Sequence, residues 1–486
     1  MVQLPADCLN DILEYLKDDI KTLHSCILVN HLWCEVSIKI FWIDIRNYNT
    51  IIACLPNDSK EFLRKIGINI AALSSKKHPI FNYASFCKVL SIDKIYYNIE
   101  ELFNNQKSMK LVSLRPNFEH IKLIAVQEIC SMLMNQSPPL KSLTFLKPTI
   151  VTFIPFTDYP GASERLRNLS ELHCDSNNSN VFFDQLSKIC NKILLLDVTI
   201  KDYISEELEN LISAQKNLKC FSLTQYDELI DVDKFPSLIA KLPNTINKLY
   251  LYKTNQISLS FITKFINLQE LRLSFELDEG FEGFEKLQFE IFPQLQILKI
   301  DRALPEIELL TKFLENNGKH LKELYLSDAE GNWNDYSLNL SIAKFCTNLK
   351  KLASGFRKSE LKSLKKILNS CEHLESIKIW CSGQYLSEKE AIGAVVKHSH
   401  ENFSELILHH LFRSQSRSFP EELESFFKTW SNRELQKPFS LVIVTNASCV
   451  KSLDKFNENV EIIKKYIKLG IIKKFKVANT SDEEYI

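Results

Sequence analysis

Thirteen cysteines and eleven histidines are the residues of this sequence best suited to covalent or metal chemistry. A thiolate can act as a nucleophile, and Cys/His sets at fixed spacing hold zinc. The spacing here supports neither role. No CxxC pair occurs, and the cysteines at 8, 26, 34, 54, 87, 130, 174, 190, 220, 346, 371, 381 and 449 are scattered and odd in number. They read as reduced thiols of a cytosolic or nuclear protein, not as a disulfide framework. His398 and His400, His409 and His410, and the trio Cys371, His373 and Cys381 are the nearest approaches to a ligand set. None has a recognised ligand spacing. GxSxG, HExxH, P-loop and GxGxxG motifs are all missing, and Gly280 and Gly283 in DEGFEG are too isolated to cradle a phosphate. No catalytic residue, cofactor or metal is therefore expected.

Charge and composition narrow the partners. Sixty Lys and Arg balance sixty Asp and Glu, which argues against wholesale binding to nucleic acid or an anionic membrane. Lysine pairs at 76–77, 350–351, 365–366, 464–465 and 473–474 are interspersed with acids and read as solvated faces. The stretch 464–474 is the most basic. The N-terminus lacks the basic region of a signal peptide, no apolar run approaches the ~18 residues of a membrane helix, and the C-terminus SDEEYI has no lipidation or retention signal.

With no catalytic motif, the elements that would position side chains become the informative feature, and they repeat. The frame L-x-x-L-x-L starts at Leu140, Leu169, Ile193, Leu218, Ile246, Leu268, Leu295, Leu321, Leu349, Leu374 and Phe403, at intervals of 22 to 29 residues. Weaker copies start at Cys87, Met109 and Phe439. The second and third anchors are two residues apart, so they share one face of a short strand. Helical spacing follows, as in Ile307, Leu310 and Leu314, or Leu361, Leu364, Ile367 and Leu368. A strand–helix unit cannot bury its apolar side alone, and stacked neighbours can.

Cys190, Cys346 and Cys371 each lie three residues before a first anchor, where Phe265, Phe292, Leu166 and Pro243 stand in other units. A small buried thiol suits the end of a helix there. The chain in this region resembles cysteine-containing leucine-rich repeats, as in CTNLKKL and CEHLESIKI. The asparagine usual three residues after the third anchor is present at Asn177 but missing from most units. The resemblance implies an α/β solenoid, a horseshoe with strands on the concave side and helices on the convex side, spanning 86–450. Strand alternation sends the third, fifth and seventh frame positions outward from that concave face. Tyr250, Tyr252, Arg272, Tyr325, Lys378 and Trp380 are the expected substrate-binding residues, because exposed aromatics and Arg dominate binding hot spots. Arg272, Lys299 and Lys378 are offset by Glu270, Asp301 and Glu323, so no acidic or phosphorylated substrate is expected.

Residues 1–45 lack the frame. Pro5 stands at a helix start, Leu9, Ile12, Leu13 and Leu16 follow at helical spacing, and Asp18-Asp19 breaks the pattern. Two more short helices run through Leu23, Cys26 and Ile27, and from Asn30 through Trp33, Val36 and Ile40. Three short helices make a small core, completed against a partner. The ordered set Leu4-Pro5, Leu9, Ile12-Leu13, Leu16, Leu23, Cys26, Leu28-Val29, Trp33 and Phe41-Trp42 resembles the F-box motif. An F-box ahead of leucine-rich repeats resembles the substrate receptors of SCF ubiquitin ligases. The resemblance implies that Leu4, Pro5, Leu9, Ile12, Leu13, Val29 and Trp33 meet a Skp-type adaptor and through it a cullin. It also implies that the repeats hold the protein to be ubiquitinated and that the chain is non-catalytic, in cytoplasm or nucleus. Cys8, Cys26 and Cys34 read as buried, inert thiols. Residues 46–85 form a helical linker, and 451–486 a last helix, a short strand and an acidic tail that cap the array. The rival readings are an F-box scaffold working outside a ligase, and a hydrolase or transferase built on a solenoid, for which no motif speaks.

Overall fold

The structure is a computed structural model that describes residues 4–68, 79–105, 118–146, 156–226, 234–254, 257–276, 278–327, 337–381, 383–410, 418–433, 437–445 and 451–479. The chain forms two compact units, Met1–Thr245 and Ile246–Ile486.

The first unit begins with α1 (Ala6–Glu14), α2 (Ile20–Ile27) and α3 (His31–Phe41). Side chains set the starts of two of them. Asp19 accepts the Thr22 amide and Asn30 accepts the Trp33 amide, each at 3.0 Å, satisfying helix N–H groups that have no partner within the helix. Leu9, Leu13, Leu23, Val36 and Ile40 close a core among the three helices. Two linker helices follow, Tyr48–Ala53 and Asn57–Lys65, with Ile51, Ile52, Leu55 and Leu63 buried. Five parallel strands complete the unit: β1 (Val89–Ser91), β2 (Ser142–Phe145), β3 (Glu171–Asp175), β4 (Leu195–Ile200) and β5 (Cys220–Gln225). The weak frame at Cys87 is thus a strand, and the one at Met109 lies outside the described residues.

The second unit holds nine parallel strands: β6 (Lys248–Tyr252), β7 (Glu270–Ser274), β8 (Ile297–Asp301), β9 (Glu323–Leu326), β10 (Lys351–Gly355), β11 (Ser376–Cys381), β12 (Glu405–His410), β13 (Phe439–Thr445) and β14 (Ile472–Asn479). Helices such as Ile307–Asn317, Leu361–Ser370 and Glu388–His398 connect them. The register aligns the repeat anchors. Leu249 and Leu251 lie opposite Leu271 and Leu273, which lie opposite Leu298 and Ile300. All eleven first anchors are buried. Each such Leu or Ile contributes about 1.5–3 kcal/mol of burial, repeated from neighbour to neighbour. One third anchor is polar: the buried Ser354 hydroxyl donates to Asn339 Oδ1 at 3.0 Å, and Asn339 Nδ2 donates to the Gly355 carbonyl at 3.0 Å.

The column three residues before the first anchors forms as expected for the thiols. Cys190, Cys346 and Cys371 are fully buried. The Cys190 thiol donates to the Leu166 carbonyl at 3.2 Å, and the Cys371 thiol to the Cys346 carbonyl at 3.4 Å. Gln215 occupies the same position in its repeat, buried, its Nε2 donating to the Cys190 carbonyl and its Oε1 accepting the Ile193 amide. Gly318 fills another, where a Cβ would stand 2.8 Å from the Cys346 sulfur.

Two frame expectations shift by one residue. In FSLVIV the pairing sets Leu441 and Ile443 opposite Leu406 and Leu408, so the frame starts at Pro438, not Phe439. A run apolar on both faces hides its phase. The buried asparagine is Asn178, which donates to the Phe145 carbonyl at 3.1 Å, while Asn177 is half-buried and meets Asp202.

Candidate interaction surfaces

Helix α1 carries two neighbouring apolar stripes. Leu9 and Leu13 are each 1% exposed and belong to the module core. They are not available to a partner, which corrects the expectation for both. Ile12, by contrast, is 51% exposed, and Leu4, Tyr15, Leu28 and Val29 are also exposed. Cys8 and Pro5 are exposed as well, so the expectation of a buried thiol at Cys8 fails. Cys8, Ile12 and Tyr15 are spaced i, i+4, i+7 and share one helix face. Trp33 is half-buried and packs on the core. Cys26 is buried and Cys34 half-buried. Of the seven residues expected at the adaptor, the structure leaves Leu4, Pro5, Ile12 and Val29 on the surface.

The second surface is the sheet face of the Ile246–Ile486 unit opposite its anchors. The frame positions form three rows across the strands. The acids of the third-position row are paired across strands. Glu270 pairs with Lys248 at 3.6 Å, Glu323 with Lys351 at 3.1 Å, and Ser376 donates to Glu405 at 2.8 Å. Arg272, on the next row, also donates through Nε to Glu270 at 2.7 Å, and its guanidinium stacks 4.5 Å from the Tyr250 ring centre. Burial raises the Glu270 carboxyl, but the hydrogen bond and charge of Arg272, with Tyr250 and Lys248, outweigh it and hold the pKa below its usual value.

The fifth-position row reads Tyr250, Arg272, Lys299, Tyr325, Ala353, Lys378 and Ile407 by strand pairing. These side chains are half-buried apart from Ala353 and Ile407, which are buried. A groove of about 430 Å³ opens here, lined by Tyr252, Arg272, Lys299, Asp301, Tyr325 and Lys378 among others. The Lys378 ammonium lies 5.3 Å from the Tyr325 ring centre, a cation–π distance.

Trp380 departs from the expectation of an exposed aromatic. It points to the same face but is 2% exposed. Its strand partner is Gly355, whose missing side chain leaves room for Tyr385: a Cβ there would stand 2.7 Å from the Tyr385 ring. Tyr385, Ala353 and Tyr325 then cover the indole, and His409 packs 5.9 Å away between ring centres. His409 is buried, and burial, with Lys378 and His410 adding charge, lowers its pKa to about 3. His410 meets Glu388 at 2.9 Å, both fully buried. These paired histidines are parts of the packed sheet.

No family model matches this chain, and no curated protein matches it. Among solved structures it is similar to the leucine-rich repeat-containing protein LegL7 from Legionella pneumophila. The two are 14% identical over 67% of this chain and 96% of that one, with a TM-score of 0.35. A variant of a protein titled SsGBP is 12% identical over 59% of this chain and 93% of that one, with a TM-score of 0.14. The chain's own period, parallel ladders and buried anchors define its class: it is an α/β leucine-rich-repeat protein with a small three-helix module at its N-terminal end.

Proposed function

We propose that this chain is the substrate-recognition subunit of an SCF-type ubiquitin ligase. The N-terminal module docks on a Skp-type adaptor, and through it on a cullin, while the open sheet face binds the protein to be ubiquitinated. The chain itself is non-catalytic in this reading, and it works in the cytoplasm or nucleus. Transfer is promoted by proximity within the assembly.

The observation that carries the proposal is the second stripe of α1. The core of Leu9, Leu13, Leu23, Val36 and Ile40 closes within the module, yet Leu4, Cys8, Ile12 and Tyr15 stay exposed beside it. An apolar helix face kept out of a completed core is what an adaptor groove would cover. It falls on the Leu4-Pro5 and Ile12 positions of the F-box resemblance. The test is affinity purification of the intact chain and of its Ile12→Asp variant. The ligase reading expects adaptor and cullin with the first and neither with the second. Adaptor without cullin would support the rival, an F-box scaffold outside a ligase. Equal adaptor capture by both chains would remove the docking assignment.

A further inference from the structure

Across the sheet face of the second unit, charge is sorted by row. The acids of the third-position row, Glu270, Glu323 and Glu405, all have cross-strand partners. The fifth-position row has Arg272, Lys299 and Lys378 and no acid between Tyr250 and Ile407. Adjacent strands lie about 4.8 Å apart, so Lys299 and Lys378, three strands apart, bracket about 14 Å of groove. That length suits a few residues of extended chain.

Lys299 sits within this row. It is half-buried and lines the groove, and no carboxylate lies within ion-pair distance of its ammonium among the described residues. Glu323 and Glu270 act on it only from beyond that distance, so this half-buried ammonium lacks a contact partner, and an incoming anion relieves the cost of withdrawing it from water. The direction of its titration agrees: burial, with Arg272 next, lowers the Lys299 pKa against the smaller opposing pull of Glu323 and Glu270. Asp301, two residues along β8, is the acid of the seventh-position row beside it and bounds the basic stretch on that side.

We propose that this groove takes an extended acidic protein segment, with a carboxylate or phosphate group of that segment seated on Lys299 between the flanking Arg272 and Lys378. The inference deepens the reading of this face as the target-binding surface and names the chemistry of the target. Tyr252 and Tyr325 supply apolar walls for the segment's backbone.

The test is fluorescence anisotropy of the full chain with three labelled peptides: hexaglutamate, a neutral hexapeptide carrying one phosphoserine, and hexalysine. The acidic peptides are expected to bind, hexalysine not, and binding to weaken as salt is raised. Tighter binding of phosphoserine assigns a phosphate to Lys299, and tighter hexaglutamate a carboxylate. Lys299→Met should weaken acidic binding by at least about tenfold, Asp301→Asn should strengthen it, and Lys286→Met, outside the groove, should change it by less than about twofold. Lys378→Met gives the same test should Lys299→Met fold poorly. Absence of binding by both acidic peptides, or equal loss in Lys286→Met and Lys299→Met, overturns the inference. Adaptor capture is scored on the same preparations, so failure here with capture intact leaves the docking assignment standing.

Discussion

Asp44 and Val89 form a parallel β-bridge. The end of the helical module therefore pairs directly with the first repeat strand. The Ile43 carbonyl accepts the amides of Lys88 and Val89 at 2.8 and 3.0 Å, and Lys94 reaches Asp44 at 3.5 Å. Backbone pairing ties the module to β1, so a partner held by α1 would have a set position relative to that strand.

The two stripes of α1 respond differently to substitution. Leu13→Ala removes a core side chain and should cost about 2–5 kcal/mol. Ile12→Asp changes an exposed position and should alter stability by about 0.5 kcal/mol or less. Thermal unfolding combined with adaptor pull-down separates them: Leu13→Ala lowers both readouts, Ile12→Asp binding alone. Wild-type adaptor affinity in a folded Ile12→Asp chain would contradict the docking surface.

Thiol labelling should follow burial. Cys8 is exposed and should react with iodoacetamide in the native chain. Burial pushes the Cys190 and Cys371 thiols up to about 12, so both should stay unlabelled until denaturant is added, as should the fully buried Cys346. Mass spectrometry of tryptic peptides reads this directly. Bound adaptor should also protect Cys8.

Trp380→Ala should act on folding. Emptying the space under Tyr325 and Tyr385 costs about 3–5 kcal/mol, seen as a lower denaturation midpoint. Tyr250→Ala, at a half-buried position, should leave that midpoint within about 1 kcal/mol of wild type and weaken target binding instead. A Trp380→Ala chain as stable as wild type would show that the indole is not the packed wedge described.

His409 sets a pH dependence. Its folded pKa is about 3, against about 6.5 when unfolded. Between those values the unfolded chain binds the extra proton, so stability is fully present above pH ~6.5 and falls as pH drops toward 3. The contribution is at most about 1.4 kcal/mol per pH unit. His409→Gln should flatten the stability–pH curve over this window relative to wild type. Parallel curves would rule the contribution out.

Much of the solenoid was legible because the repeat constrains it twice. Leu268, Leu271 and Leu273 mark a strand locally, and the same trio recurs about one repeat later as Leu295, Leu298 and Ile300. Where local alternation vanished, at Leu441 to Val444, the phase was lost by one residue. The surfaces were less legible. Leu9, Ile12 and Leu13 are equivalent in sequence, and only the packing of α2 and α3 decides which face turns inward. Trp380 has the right parity for exposure, but Gly355 on the neighbouring strand and Tyr385 beyond it bury the ring. Arg272, Lys299 and Lys378 cancel Glu270, Asp301 and Glu323 as a list, and only strand register sorts the open face into a paired row and a basic one.

The strand β14 has a wider consequence. Among the described residues it pairs on one side only, with β13, and it carries Lys473, Lys474 and Lys476 along its length. A repeat array has no intrinsic length, since each unpaired edge is a template for another strand. β13 offers four consecutive apolar residues, Leu441 to Val444, and as a terminal edge would invite a second molecule to continue the ladder. β14 occupies that edge and replaces it with a charged one. An edge carrying three lysines is a poor template for a further strand, where the bare β13 edge would be a good one.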